Sequence, residues 1–167
     1  MATVFTAPSF VPEQFGKFEK PSLFLGGSIE QGTAVDWQTR VTKICEVSND
    51  MFILNPRRSP WPHDADEVLM SEQINWELDA LEKCDAAFMY FVPGTKSPIS
   101  LLEMGMFAGA NRTGCVVNRM VVCCPVGFWR KTNVDITARR YGIPVYEDFD
   151  EALQAAIMLM HKRAAIL

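Results

Sequence analysis

The sequence predicts an α/β fold, a parallel sheet of five strands covered by helices on both faces. It forms one domain over residues 21–167, behind an N-terminal arm of residues 1–20. Three observations carry this. Short apolar runs alternate five times with helix-length stretches, the rhythm of a parallel sheet built with right-handed crossovers. Turn-forming residues close the runs, at Gly26-Gly27, Asn55-Pro56, Pro93-Gly94 and Pro125. A chain of 167 residues that is 49% apolar is long and apolar enough to bury one substantial core.

The arm carries Pro8, Pro12 and Gly16 among four phenylalanines without periodicity, and reads either as a partly ordered segment or as one packing on a neighbouring subunit. Ser22-Leu23-Phe24-Leu25 is a buried strand that runs into Gly26-Gly27-Ser28, where the chain can turn tightly and bring backbone N–H groups near a ligand. Thr33 to about Ser48 follows as a helix with Val35, Val41, Ile44 and Cys45 inward. Met51-Phe52-Ile53-Leu54 is the second strand. After it, three prolines spread through Asn55 to His63 rule out regular structure. That loop lies where open parallel sheets bind ligands, beyond a strand's carboxyl end. Arg57 and Arg58 there read as a solvated or salt-bridged pair or as ligand contacts, and Trp61 as a cap on the core or a surface for stacking on a flat ring.

Residues 65–83 form a long helix, mostly acidic on its outer face, with Glu77 set apart beside Trp76 and one turn after Gln73. Ala86 to Val92 is the third strand, uniformly apolar and so buried on both faces. Ser97-Pro98 then opens a helix, with serine suited to the cap and proline to the first helical position. Ser100 and Glu103 share a side of it. A carboxylate among Leu101, Leu102, Met104 and Met106 is costly to bury unless it is hydrogen-bonded or has work to do, which makes Glu103 the first candidate for chemistry. Arg119 to Pro125 and Ile143 to Tyr146 supply the fourth and fifth strands. Phe128 to Asp135 makes a loop and helix entry between them, and Phe149 to His161 closes the chain with an amphipathic helix.

A net charge of −4 argues against a nucleic-acid surface. No apolar run reaches the length of a membrane span, and the N-terminus lacks the basic start and apolar stretch of a signal peptide, so an intracellular, cytoplasmic protein is expected. The five cysteines form no C-x-x-C pair and read as buried reduced thiols, and the two histidines stand apart from them, so no metal is expected.

Taken together, Phe24 to Ile29, Asn55-Pro56-Arg57-Arg58, Gln73 to Glu77, Ser97 to Gly105 and Trp129 to Asp135 resemble the nucleoside 2-deoxyribosyltransferase superfamily, in particular its second branch. The resemblance covers roughly residues 22–160 and five motifs in the correct order. It implies a flavodoxin-like, doubly wound sheet and a homo-oligomer with sites near subunit contacts. It also implies an exchange of the base of a 2′-deoxynucleoside for a free purine or pyrimidine base. Glu103 matches the nucleophilic glutamate of the family's Glu-x-Gly helix motif, Glu77 the acid that contacts the base, and Asn133 an asparagine that reaches a neighbour's sugar. The chain departs from better-known members at Phe24, where they have a tyrosine that contacts the nucleophile, and at Ser97, where they have a second acid.

Such chemistry calls for no cofactor. A carboxylate attacks the anomeric carbon, a covalent glycosyl-enzyme forms, and the transition state resembles an oxocarbenium ion. The helix start and the Ser100 hydroxyl would help keep Glu103 ionised, while Glu77 contacts or protonates the leaving base. Gly26, Gly27, Ser28, Arg57, Trp61, Ser97 and Ser100 complete the expected substrate contacts. Two other readings stand beside the transferase. One is an N-glycosidase that gives the sugar of a 2′-deoxynucleoside 5′-monophosphate to water, with Ser97 and Ser100 cradling the phosphate. The other is a nucleotide-binding module without turnover.

Overall fold

The computed structural model describes residues 1–9, 18–48, 50–58, 66–112 and 118–166. Six strands form one all-parallel sheet in the order β1-β3-β2-β4-β5-β6. They are β1 (Thr3–Thr6), β2 (Ser22–Gly27), β3 (Phe52–Asn55), β4 (Ala86–Tyr90), β5 (Met120–Cys123) and β6 (Val145–Tyr146). Five α-helices connect or follow them: α1 (Trp37–Cys45), α2 (Glu67–Lys83), α3 (Pro98–Arg112), α4 (Lys131–Arg140) and α5 (Phe149–Ala164). From β3 to β6 this is the flavodoxin-like order, with its reversal between β2 and β4.

The predicted strands are all present, and the count of five becomes six because Thr3–Thr6, in the stretch read as an arm, pairs in parallel with Phe52–Asn55. The pleat distributes the core. Leu23, Leu25 and Phe88 face the layer made by Trp37, Val41, Leu153 and Ala156 of α1 and α5. Phe24, Ala87 and Met89 face Trp76, Ala80, Met104 and Val134 of α2, α3 and α4. The sheet is therefore buried on both faces, which is why its strands read as unbroken apolar runs. Cys45, Cys84, Cys123 and Cys124 are free and buried.

Helix α1 starts later than its apolar pattern suggested. The Asp36 carboxylate accepts the Thr39 N–H at 3.1 Å and so fixes the first turn at Trp37. That phase buries Val41 and Cys45 but leaves Val35 61% and Ile44 43% exposed, against the expectation that all four point inward. Helix α2 is capped in the same way by Asp66, through the Leu69 N–H at 2.8 Å.

Strands β2 and β4 approach closely at the sheet's reversal. Gly26 and Gly27 end β2 rather than turning out of it, and Gly27 pairs with Tyr90. A Cβ on Gly27 would stand 2.2 Å from the Tyr90 carbonyl oxygen, and its φ of +134° is one that other residues rarely adopt. Gly27→Ala is expected to destabilise the protein by more than about 3 kcal/mol in urea denaturation. A variant within about 1 kcal/mol of the parent would mean that β2 and β4 can part here.

Candidate active site

A cavity of about 730 Å³ opens at this reversal, within the size range of small-molecule sites. Phe24, Gly26 and Gly27 of β2 line one side. Gln73, Ile74 and Glu77 of α2, and Ser97 just before α3 with Ser100 and Glu103 on it, line others. Glu30 and Gln31 contribute from a short 3-10 turn, Glu30–Gly32, that follows β2.

Three hydroxyls join the end of β2 to the start of α3. Ser28 Oγ lies 2.6 Å from Ser97 Oγ and 2.8 Å from Thr95 Oγ1, which are themselves 3.0 Å apart. Ser28 Oγ also accepts the Val92 N–H at 2.9 Å. Sequence reading expected Ser97 to cap α3. Its hydroxyl instead belongs to this cluster, and its φ of +46° puts it in the left-handed region. The residue still opens the helix, because its carbonyl accepts the Leu101 N–H at 3.0 Å. Its own N–H, like that of Lys96, donates to Glu30 Oε1, at 2.6 and 3.0 Å. Glu30 and Gln31 are left-handed too, each at a cost of about 1 kcal/mol or more, so contacts must hold the turn. Thr33 Oγ1 donates to the Glu30 carbonyl at 2.7 Å.

Glu103 is 7% exposed. Burial first, and the Glu77 carboxylate second, push its carboxyl up to about 8. The expected support from the helix start does not offset them, so at neutral pH the Glu103 carboxyl favours its protonated form. Glu77 is also raised by burial, but the Gln73 side chain and the Arg58 charge pull it back. Gln73 Nε2 donates to Glu77 Oε1 at 2.6 Å and to the Pro56 carbonyl at 2.8 Å. Both partners are acceptors, which fixes the amide's orientation and leaves Gln73 Oε1 buried without a partner.

The expected site residues divide clearly. Gly26, Gly27, Ser97, Ser100, Glu77 and Glu103 line one cavity. Ser28 stands behind it in the hydroxyl cluster, with its carbonyl accepting Trp37 Nε1–H at 2.9 Å. Arg57 is absent from the lining, because its guanidinium donates to the carbonyls of Gly32, Ala34 and Val35 at 2.8 to 3.0 Å and so clamps the segment after the Glu30 turn. Asn133 is exposed on α4 and outside the lining, so within one chain it does not reach the cavity. Trp61 lies outside the described residues. The sequence reading missed Glu30 and counted Arg57 rather than Arg58 among the substrate contacts, whereas it is Arg58 whose charge acts on Glu77. An acid just past the Gly-Gly end of the strand at the reversal was the available signal for the first.

A doubly wound parallel sheet with two buried carboxyls in the crevice at its reversal defines a class of proteins with a small-molecule site at the carboxyl ends of the strands. Within that class the chain belongs to the nucleoside 2-deoxyribosyltransferase-like family, whose model matches residues 20–128. No curated protein matches the chain. The family match includes both carboxyls and the Ser97 helix start, and ends before Asn133.

The raised Glu103 carboxyl has a consequence for stability. The folded chain keeps a proton that the unfolded chain releases near pH 4.5, so this group lowers stability as pH rises from there to about 8. Glu103→Gln should therefore be more stable than the parent at pH 9, by up to about 5 kcal/mol at ~1.4 kcal/mol per unit of displacement. The gain should fade toward pH 4. Urea denaturation at the two pH values reads the difference, and a pH-independent gap would contradict the burial effect.

Proposed function

We propose that this chain is a nucleoside 2-deoxyribosyltransferase, exchanging the base of a 2′-deoxynucleoside through a covalent deoxyribosyl–Glu103 intermediate. The observation that carries the reading is a buried carboxyl on α3 with a second carboxyl, Glu77, acting on it inside one cavity. A solvated surface acid would not be held in this way.

The raised carboxyl suits the proton balance of the reaction. Glu103 loses its proton as its oxygen bonds to the anomeric carbon, and the departing base gains one as the glycosidic C–N bond breaks. Glu77, or water beside it, carries the proton between them. The incoming base reverses each step: its nitrogen bonds to the anomeric carbon, the ester bond to Glu103 breaks, and the proton returns to the carboxyl pair. Two displacements on the same carbon restore its configuration. The apolar Phe24 beside the cavity cannot donate a hydrogen bond to Glu103, consistent with a nucleophile that starts protonated.

Chromatography of the protein incubated with a 2′-deoxynucleoside tests the reading, with and without a second free base. A new deoxynucleoside that forms only with the acceptor present is the expected result, and Glu103→Gln should abolish it. Release of free base without an acceptor, chiefly from a 5′-monophosphate, would replace the transferase with the N-glycosidase. Absence of any reaction would leave a binding module.

The pH profile separates this proton balance from a simple ionised nucleophile. The reactive form carries one proton on the pair, so kcat/KM should fall about tenfold per unit above pH 8 as that proton is lost. A rate that rises to a plateau above pH 8 would instead mean that Glu103 must be deprotonated before substrate arrives.

A further inference from the structure

We propose that Glu30 determines substrate class: its carboxylate occupies the position a 5′-phosphate would need at the start of α3, so the crevice takes the 2′-deoxynucleoside and turns away its 5′-monophosphate. The proposal rests on the reading of the crevice as a deoxynucleoside site.

A phosphate entering beside Ser97 would look for two kinds of donor, backbone N–H groups leading into the helix and serine hydroxyls. Those at Lys96 and Ser97 are already engaged, leaving the Ser100 hydroxyl on the cavity wall. The N–H groups of Lys96 and Ser97 donate to Glu30 Oε1 at 3.0 and 2.6 Å. The Ser97 hydroxyl is held by Ser28 and Thr95. Arg57, which clamps this turn, has both terminal nitrogens on backbone carbonyls. The internal carboxylate thus satisfies those N–H donors and adds a like charge that repels a second anion at close range. A neutral 5′-hydroxyl meets no such repulsion and can hydrogen-bond to the same carboxylate.

The position of Glu30 is specified by the fold. Its backbone is left-handed without being glycine, and the carbonyls of Ile29 and of Glu30 itself accept the N–H groups of Gly32, Thr33 and Ala34 at 2.9 to 3.1 Å. Arg57 fixes the segment that follows. The turn therefore delivers the carboxylate to the cavity wall rather than to solvent.

Calorimetric titration tests this in the Glu103→Gln chain, which is expected to hold ligand without turning it over. The probes are thymidine and 2′-deoxyadenosine, each with and without a 5′-phosphate. With Glu30 present, the nucleoside should bind about tenfold or more tightly than its monophosphate. Glu30→Gln removes the charge and keeps the bulk, and should narrow that ratio. Glu30→Ala removes both and should narrow it further. Equal or tighter binding of the monophosphate to the chain carrying Glu30, or a ratio unmoved in both Glu30 variants, would overturn the proposal while leaving the deoxynucleoside reading intact. Failure of all four probes to bind would overturn that reading, and the proposal with it.

Discussion

The contact between the ends of β2 and β4 sets the position of nearly every group in the crevice. Gly27 lets the backbone of β2 lie against Tyr90 with no side chain between, and one residue later Ser28 donates its N–H to the Tyr90 carbonyl at 2.9 Å. From there the Ser28 hydroxyl ties in Val92, Thr95 and Ser97. The link between β4 and α3 is thereby fixed to the strand beside it, and α3 enters the crevice at a set height. A loosened contact would shift Ser100 and Glu103 together, since both ride on the same helix. Hydroxyl clusters of this kind are buried polar networks, which hold geometry well when every member is satisfied.

Electrostatics in the crevice follows from which helix carries each acid. Glu77, on α2, has an amide one turn before it and a guanidinium acting on it, so its charge is partly compensated. Glu103, on α3, has apolar neighbours along its helix and receives only burial and repulsion among the described residues. Two acids of the same type are thus pushed unequally, which divides the pair into a compensated carboxyl and an uncompensated one. The division comes from the packing of the two helices on the same face of the sheet.

Much of this was legible in the sequence. The strands from Ser22 onward announced themselves as apolar runs closed by glycine or proline, because a strand buried on both faces leaves no room for polar alternation. Glu103 stood out for the same reason, as an acid on an otherwise apolar helix. What escaped depends on contacts far apart in the chain. Thr3–Thr6 is too short and too polar at its ends to read as a strand, and becomes one only against β3. Val35 looked like part of a helix whose phase is in fact set by the cap at Asp36. Arg57 and Arg58 are adjacent and alike in sequence, yet one clamps carbonyls of a neighbouring loop and the other acts on Glu77. The left-handed turn at Glu30 carries no glycine or asparagine to signal it, and its reason is the pair of N–H groups it meets across the crevice.

The added strand β1 also changes how the sheet ends. With it in place, one border is a strand of four residues and the other, β6, a strand of two. Borders this short give a second chain too few free N–H and C=O groups to extend the sheet. Exposed apolar side chains lie on helices instead, where Ile99, Leu102 and Met106 stand at three- and four-residue spacing along α3. The helix that places Glu103 in the crevice thus also leaves apolar side chains exposed beside it, and one of them, Ile99, lines the same cavity.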